Sequence, residues 1–89
     1  MSVFQEFTEL DWPEEFVVEY LDGQRERLLR GDGVSVMSPS DDPDGIGGFD
    51  GYLPKKSRHT RSQGLRFVRF SEVRAIFDSK DSQIWPRPN

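Results

Sequence analysis

Four aspartates stand near glycine turns in the middle of the chain, and acids in such a setting can bind a hard cation such as Ca²⁺. They are Asp41, Asp42, Asp44 and Asp50. A calcium-binding EF-hand loop needs acids at alternate positions and a bidentate Glu at its twelfth position. Counted from Asp42, that position is Leu53, and Pro43 hinders close presentation of the backbone. The pattern therefore favours a solvated acidic turn, and we expect no metal and no cofactor.

A basic strip follows the acidic turn and has the chemistry of a nucleic-acid site. Its charged residues are Lys55, Lys56, Arg58, His59, Arg61, Arg66 and Arg69, with no acid between them. The aromatic residues Tyr52, Phe67 and Phe70 accompany it. Basic charge for phosphates and aromatic platforms for bases are what single-stranded nucleic acids require. The strip over residues 55–69 therefore indicates RNA, single-stranded DNA or nucleotide binding as one function.

The overall charge favours a different interpretation of the same strip. The net charge is −4 and the pI is near 4.9, whereas dedicated nucleic-acid-binding proteins are usually basic. Arg66 and Arg69 can instead face acids of a neighbouring strand, such as Glu19 and Glu26. The glycine-rich residues 45–51 match neither a P-loop nor a dinucleotide-binding motif, and a flexible linker is the simpler interpretation.

Catalysis has little support in the residue pattern. The one histidine, His59, lies among the hydroxyl side chains Ser57, Thr60 and Ser62. A nucleophilic triad needs an acid that orients the histidine and donors that stabilise the oxyanion, both on a rigid scaffold. A polar loop supplies neither. We therefore expect a protein that is not an enzyme.

Length and composition predict one small domain over residues 1–89. The chain has 89 residues, no cysteine and 34% hydrophobic residues, so its core is limited and has no disulfide to stabilise it. No apolar run is long enough to cross a membrane, and we expect no membrane partner. Because the first residues lack the pattern of a secretory signal, we expect a cytoplasmic protein.

Alternating apolar residues predict strands at both ends of the chain. The first set covers residues 16–37, where Asp22-Gly23 indicates a tight primed hairpin turn. The closing set covers residues 65–85, with a corner at Ser71-Glu72 between strands 65–70 and 73–78. We expect these strands to form one curved antiparallel sheet. Its predicted core contains Phe16, Val18, Tyr20, Phe67 and either Ile76 or Phe77, and Trp12 and Trp85 are expected to close its two ends.

The N-terminal arm, residues 1–15, is open to two interpretations. Val3, Phe4, Phe7 and Leu10 follow helical spacing, and Ser2 can cap such a helix. Residues 8–12 can equally run extended into the first strand.

Residues 38–64 are predicted to form one long polar loop that lies outside the core strands. A structureless loop of this length is uncommon and is usually functional or disordered. Its apolar residues are spaced like anchors for a partner surface. They are Ile46, Phe49, Tyr52 and Leu53.

The arrangement of strands resembles small Src-homology-3-like and Sm-like barrels. The resemblance rests on Asp22-Gly23 in the first hairpin and on residues 70–76 as the corner into the last long strand. It covers residues 16–78 and implies a mainly β, five- to six-stranded antiparallel barrel. It carries over no functional residue, because the RNA-binding residues of Sm-like proteins are not recognisable.

These observations predict a small binding module, that is, an accessory subunit, an adaptor or an inhibitor. The expected partner is another protein or a larger complex, and nucleic acid is the alternative. The expected contact residues are Ile46, Phe49, Tyr52, Leu53, Lys55, Lys56, Arg58, His59 and Arg61. Their apolar members would supply desolvated contact area, and their charges would orient the encounter.

Overall fold

The chain is mainly β-structure with one short helix, as the sequence predicts. The computed structural model describes residues 2–54 and 64–87. Its regular elements are α1 (Val3–Glu9), β1 (Glu15–Tyr20), β2 (Arg25–Leu29), β3 (Ser35–Met37), β4 (Gly48–Tyr52), β5 (Leu65–Arg69), β6 (Val73–Asp78) and β7 (Gln83–Trp85). Single 3-10 turns cover Pro39–Asp41 and Phe70–Glu72. No helix in the described part of the chain is long and apolar enough to cross a membrane.

All seven strands belong to one antiparallel sheet that curls into an open half-barrel. The order is β3-β4-β2-β1-β6-β7, and β5 pairs with β4. β2 and β3 lie along the same side of β4, because Tyr52 pairs with Leu29 while Asp50 pairs with Ser35. The prediction that residues 16–37 and 65–78 share a sheet is confirmed.

The segment predicted as a long loop contains a strand that belongs to the core, so that prediction is wrong for residues 48–52. β4 pairs with β3, β5 and β2. Phe49 lies opposite Val36 on one side and Val68 on the other, and it is fully buried. The sequence Gly-Phe-Asp-Gly-Tyr has weak strand propensity. Pairing on both sides, rather than local preference, makes it a strand.

Cross-strand pairing decides which residues face the core. Phe16, Val18 and Ile76 are fully buried, so Ile76 rather than Phe77 is the core residue. Tyr20 packs against the core and is partly buried. The prediction for Phe67 is wrong, because pairing with β4 directs Val68 inward and leaves Phe67 38% exposed.

The helix interpretation of the N-terminal arm is confirmed, and α1 covers one end of the core. The hydroxyl of Ser2 accepts a hydrogen bond from the backbone N–H of Gln5, whose side chain accepts one from the N–H of Ser2. This capping box fixes the start of the helix. Phe7 is fully buried and contacts both Trp12 and Trp85. The two tryptophans therefore lie at the same end of the core, not at opposite ends as expected.

The first hairpin differs in type from the predicted primed turn. A type I′ turn needs positive φ at both central residues. Gly23 has φ +89°, but Asp22 does not have positive φ. The N–H of Gly23 donates to the carbonyl of Tyr20, and the N–H of Tyr20 donates to the carbonyl of Gln24. The loop is therefore a three-residue connection with Gly23 in the left-handed position.

Replacement of Gly23 by alanine tests this turn. A Cβ at Gly23 would contact no atom within 4 Å, so the positive φ alone sets the cost. We expect Gly23→Ala to lower the free energy of unfolding by about 1 kcal/mol. Urea titration measures this change. The control Ser79→Ala, in the turn between β6 and β7, should leave stability unchanged. Equal stability of Gly23→Ala and wild type would contradict the assigned turn.

Candidate functional site

An apolar groove, here called the α1 groove, lies between the start of α1 and residues 38–47. It has a volume of about 440 Å³. Its lining residues are Ser2, Val3, Phe4, Pro39, Ile46, Phe70 and Ser71. Val3 is 38% exposed, and Ile46 and Phe70 are half-buried. The groove therefore offers apolar side chains that a partner can reach.

The helical wall of the groove is held by aromatic packing beneath it. The rings of Phe7 and Phe70 stack with centroids 5.2 Å apart, and Phe7 lies 5.3 Å from the ring of Phe49. The indole N–H of Trp12 donates to the carbonyl of Phe7 at 3.1 Å. Because Phe7 is fixed in the core, the first turn of α1 has a defined position at the surface.

The opposite wall is held by the carboxylate of Asp42. Its two oxygens accept hydrogen bonds from the backbone N–H of Gly47 at 2.8 Å and of Asp44 at 3.1 Å. These bonds lower the pKa of Asp42 below its ordinary value of 3.8, since they stabilise the charged form. These hydrogen bonds connect residue 42 to residue 47 and so hold the turn that carries Ile46 in one conformation.

Glycine is required at position 47 for this conformation of the turn. Gly47 has φ +80°, and a Cβ there would lie 2.7 Å from the carbonyl oxygen of Met37. Its carbonyl accepts a hydrogen bond from the N–H of Phe70. The turn, β3 and the corner before β6 therefore meet at one glycine, which places Ile46 beside Phe70 in the α1 groove.

Three acidic residues lie on the loop that carries the lining residues Pro39 and Ile46. Asp44 forms an ion pair with Arg69 at 2.6 Å. Asp41 is exposed and accepts a hydrogen bond from the hydroxyl of Ser38. Within residues 2–54 and 64–87, neither Asp41 nor Asp42 forms an ion pair. The loop thus leaves negative charge beside an apolar surface.

The structure separates the predicted contact residues. Ile46 lies in the α1 groove. Phe49 is fully buried, so its predicted role as an exposed anchor is wrong. Leu53 packs against the core, and the ring of Tyr52 lies against Gly31. The remaining predicted contacts lie outside the described residues: Lys55, Lys56, Arg58, His59 and Arg61.

The described arginines of the basic strip are paired within the chain. Arg66 forms an ion pair with Glu26 at 3.0 Å. Glu26 also accepts a hydrogen bond from the Tyr20 hydroxyl at 2.6 Å. This network lines a polar hollow of about 390 Å³. Burial and the bond to Glu26 raise the pKa of Tyr20. Arg66 pairs with Glu26 as predicted, but β5 and β2 are not paired strands. Arg69 pairs with Asp44 and not with an acid of a neighbouring strand, so that part of the prediction is wrong.

The sequence pattern located only part of the groove. Val3 and Phe4 belong to the helical stripe of the N-terminal arm, but that stripe does not show which members remain exposed. Pro39 gives no signal other than a turn. These residues meet Ile46 only because α1 folds back beside β3.

The chain matches no family model, and comparisons with curated proteins and with solved structures likewise find no match. Among residues 2–54 and 64–87, no three His, Cys, Asp or Glu side chains form a group that could hold a metal ion.

The role of Asp42 predicts a pH-dependent contribution to stability. Because its folded pKa is lowered, its contribution is present above the ordinary value of 3.8 and is lost as the pH falls through the folded value. We expect Asp42→Ala to melt at a lower temperature than wild type at about pH 7. The difference should shrink below about pH 4. Thermal melts across this range measure it.

Asp32→Ala removes an exposed acid from another turn and serves as the control. Its melting temperature should follow wild type at every pH. If the melting temperatures of Asp42→Ala and wild type differ by the same amount down to about pH 2, the role assigned to the carboxylate is contradicted.

Proposed function

We propose that the chain is a non-enzymatic binding module that holds a segment of a partner protein in the α1 groove. The observation that carries this proposal is an apolar hollow of about 440 Å³ between two rigidly held walls. Buried apolar anchors in preformed pockets supply most of the binding energy of protein interfaces. An accessory subunit, an adaptor or an inhibitor would use such a site.

The charge around the groove defines the partner. Residues 38–47, which form the wall opposite α1, contain Asp41, Asp42 and Asp44 and no Lys or Arg. Asp41 and Asp42 lie in the loop between Pro39 and Ile46, two residues that line the groove. A partner segment with one bulky apolar side chain next to Lys or Arg residues complements this surface, because the basic residues steer the encounter and the apolar side chain is desolvated in the groove.

We also propose that the half-barrel is a relative of the Src-homology-3-like and Sm-like barrels. The support is topological. β1 pairs with both β2 and β6, and a single 3-10 turn at Phe70–Glu72 connects β5 to β6. This proposal concerns the fold and assigns no residue a function.

Nucleic-acid binding through residues 55–69 is the second candidate. The observation in its favour is the sequence from Lys55 to Arg61, which contains no acid. Against it, Arg66 and Arg69 are paired with Glu26 and Asp44. Phe70 stacks on Phe7 and its remaining surface lines the α1 groove, which leaves Phe67, 38% exposed, as the accessible aromatic ring of the strip. We therefore rank protein binding first.

Selection from a random peptide library displayed on phage tests the first candidate with the full chain as bait. We expect the enriched peptides to combine an aliphatic or aromatic residue with adjacent Lys or Arg. Ile46→Glu places a charge in the groove and should weaken binding of these peptides by about tenfold or more. Calorimetry measures the affinity of each synthetic peptide.

Leu21→Glu is the matched control, because Leu21 is 56% exposed and does not line the groove. It should bind the peptides like wild type. Equal affinity of Ile46→Glu and wild type would refute the groove as the site. A single-stranded oligonucleotide is the comparison probe. If it binds with an affinity that falls steeply with salt and is insensitive to Ile46→Glu, the second candidate replaces the first.

A further inference from the structure

β5 is an edge strand whose outward backbone groups can accept another strand. Among the described residues, β5 pairs only with β4. The N–H of Phe70 donates to Gly47 and the carbonyl of Gly64 accepts from Leu53, so even-numbered residues of this strand face β4. The backbone groups of Leu65, Phe67 and Arg69 therefore point away from the sheet.

This edge lacks the usual protection against strand pairing. Natural edge strands are kept apart by charged side chains, prolines, bulges or short length. β5 has five residues, and Leu65 and Phe67 are 57% and 38% exposed. Its two charges, Arg66 and Arg69, are already paired with acids of the same chain. The edge therefore carries two exposed apolar side chains, and both of its arginines are engaged in ion pairs within the chain.

β7 contrasts with β5 at the other end of the sheet. It has three residues, Gln83–Trp85, and Pro86 follows it directly. Short length and an adjacent proline are devices that block strand addition. Among the described residues, β3 also pairs with a single strand, but it has only three residues, so β5 is the longest of the three edge strands.

We propose that a second copy of this chain pairs with β5 in antiparallel orientation, with a twofold axis at Phe67. In this register Leu65 lies opposite Arg69 of the second copy, and Arg66 lies opposite Val68 of the second copy. The two Phe67 residues lie opposite each other. No arginine faces another arginine. The outward backbone N–H and C=O groups of Leu65, Phe67 and Arg69 all form hydrogen bonds with the second copy. The two Phe67 rings form a cross-strand aromatic pair.

The self-complementary pattern favours a second copy over an unrelated peptide. A twofold interface requires that one surface fit itself. About the central residue of Leu-Arg-Phe-Val-Arg, each arginine meets an apolar residue and Phe67 meets its own copy. The aromatic ring of Phe67 is already held close to Gly48, since a Cβ at Gly48 would lie 2.8 Å from its Cζ atom. This inference is independent of the α1 groove.

A single introduced thiol tests the position of the axis, because the natural chain has no cysteine. At an antiparallel hydrogen-bonded pair, opposed Cα atoms lie about 5.5 Å apart, which is within the disulfide range of roughly 4.4–6.8 Å. Phe67→Cys should therefore form a disulfide-linked dimer under mild oxidation. In Leu65→Cys the two thiols are about 13 Å apart along the strand, and the same treatment should give at least tenfold less linked dimer.

Sedimentation of the unlinked protein provides the second measurement. Wild type should show a concentration-dependent monomer–dimer equilibrium. Phe67→Pro removes an outward N–H while leaving the bonds to β4 in place, so it should be monomeric. Ser79→Pro, in a turn position that tolerates proline, is the control and should dimerise like wild type. Thermal melts check that both variants are folded.

Two results would overturn the proposal. One is a wild-type protein that stays monomeric at about millimolar concentration. The other is equal cross-linking of Phe67→Cys and Leu65→Cys, which would indicate random collision. Ile46→Glu should dimerise like wild type. The proposal for peptide binding in the α1 groove and the proposal for the β5 dimer can therefore be refuted separately.

Discussion

The fully buried ring of Phe7 connects the helix to the sheet, and the rest of the structure depends on this contact. Its neighbours come from four separate stretches of chain, with ring centroids 4.6–5.8 Å away: Trp12, Phe49, Phe70 and Trp85. An open half-barrel of 89 residues without a disulfide has little apolar area to bury. Covering one end of the core with α1 adds a large aromatic contribution, since burial of one such side chain contributes about 1.5–3 kcal/mol.

The same contact explains where the groove lies. Phe7 fixes α1 beside β3, so Val3 and Phe4, earlier on the helix, lie across from Ile46. Phe70 belongs to both environments, because it stacks on Phe7 and also lines the groove. Core packing and the exposed apolar surface are therefore not independent. A binding surface built directly on the core is pre-organised and loses less entropy when a partner orders it.

Charge has a structural role in this chain as well as a surface role. Arg66 of β5 pairs with Glu26 of β2 and so connects two strands that are not paired with each other. Arg69 holds the acidic loop through Asp44. A basic strip in the sequence therefore becomes, in its described part, a set of internal ion pairs. In the described part of the chain, Asp41 and Asp42 form no ion pair, and they lie on the loop that carries Ile46.

The sequence alone determined the local features of this protein. Alternation in residues 16–20 and 73–78, the cap at Ser2 and the positive φ of Gly23 follow from interactions between near neighbours in the chain. Local signals could not reveal β4, because Gly48–Tyr52 becomes a strand only when β3 and β5 pair with it. Tertiary structure also decided between Ile76 and Phe77, moved Phe67 to the surface and buried Phe49. These outcomes depend on register between distant strands, and a shift of one residue reverses every side chain.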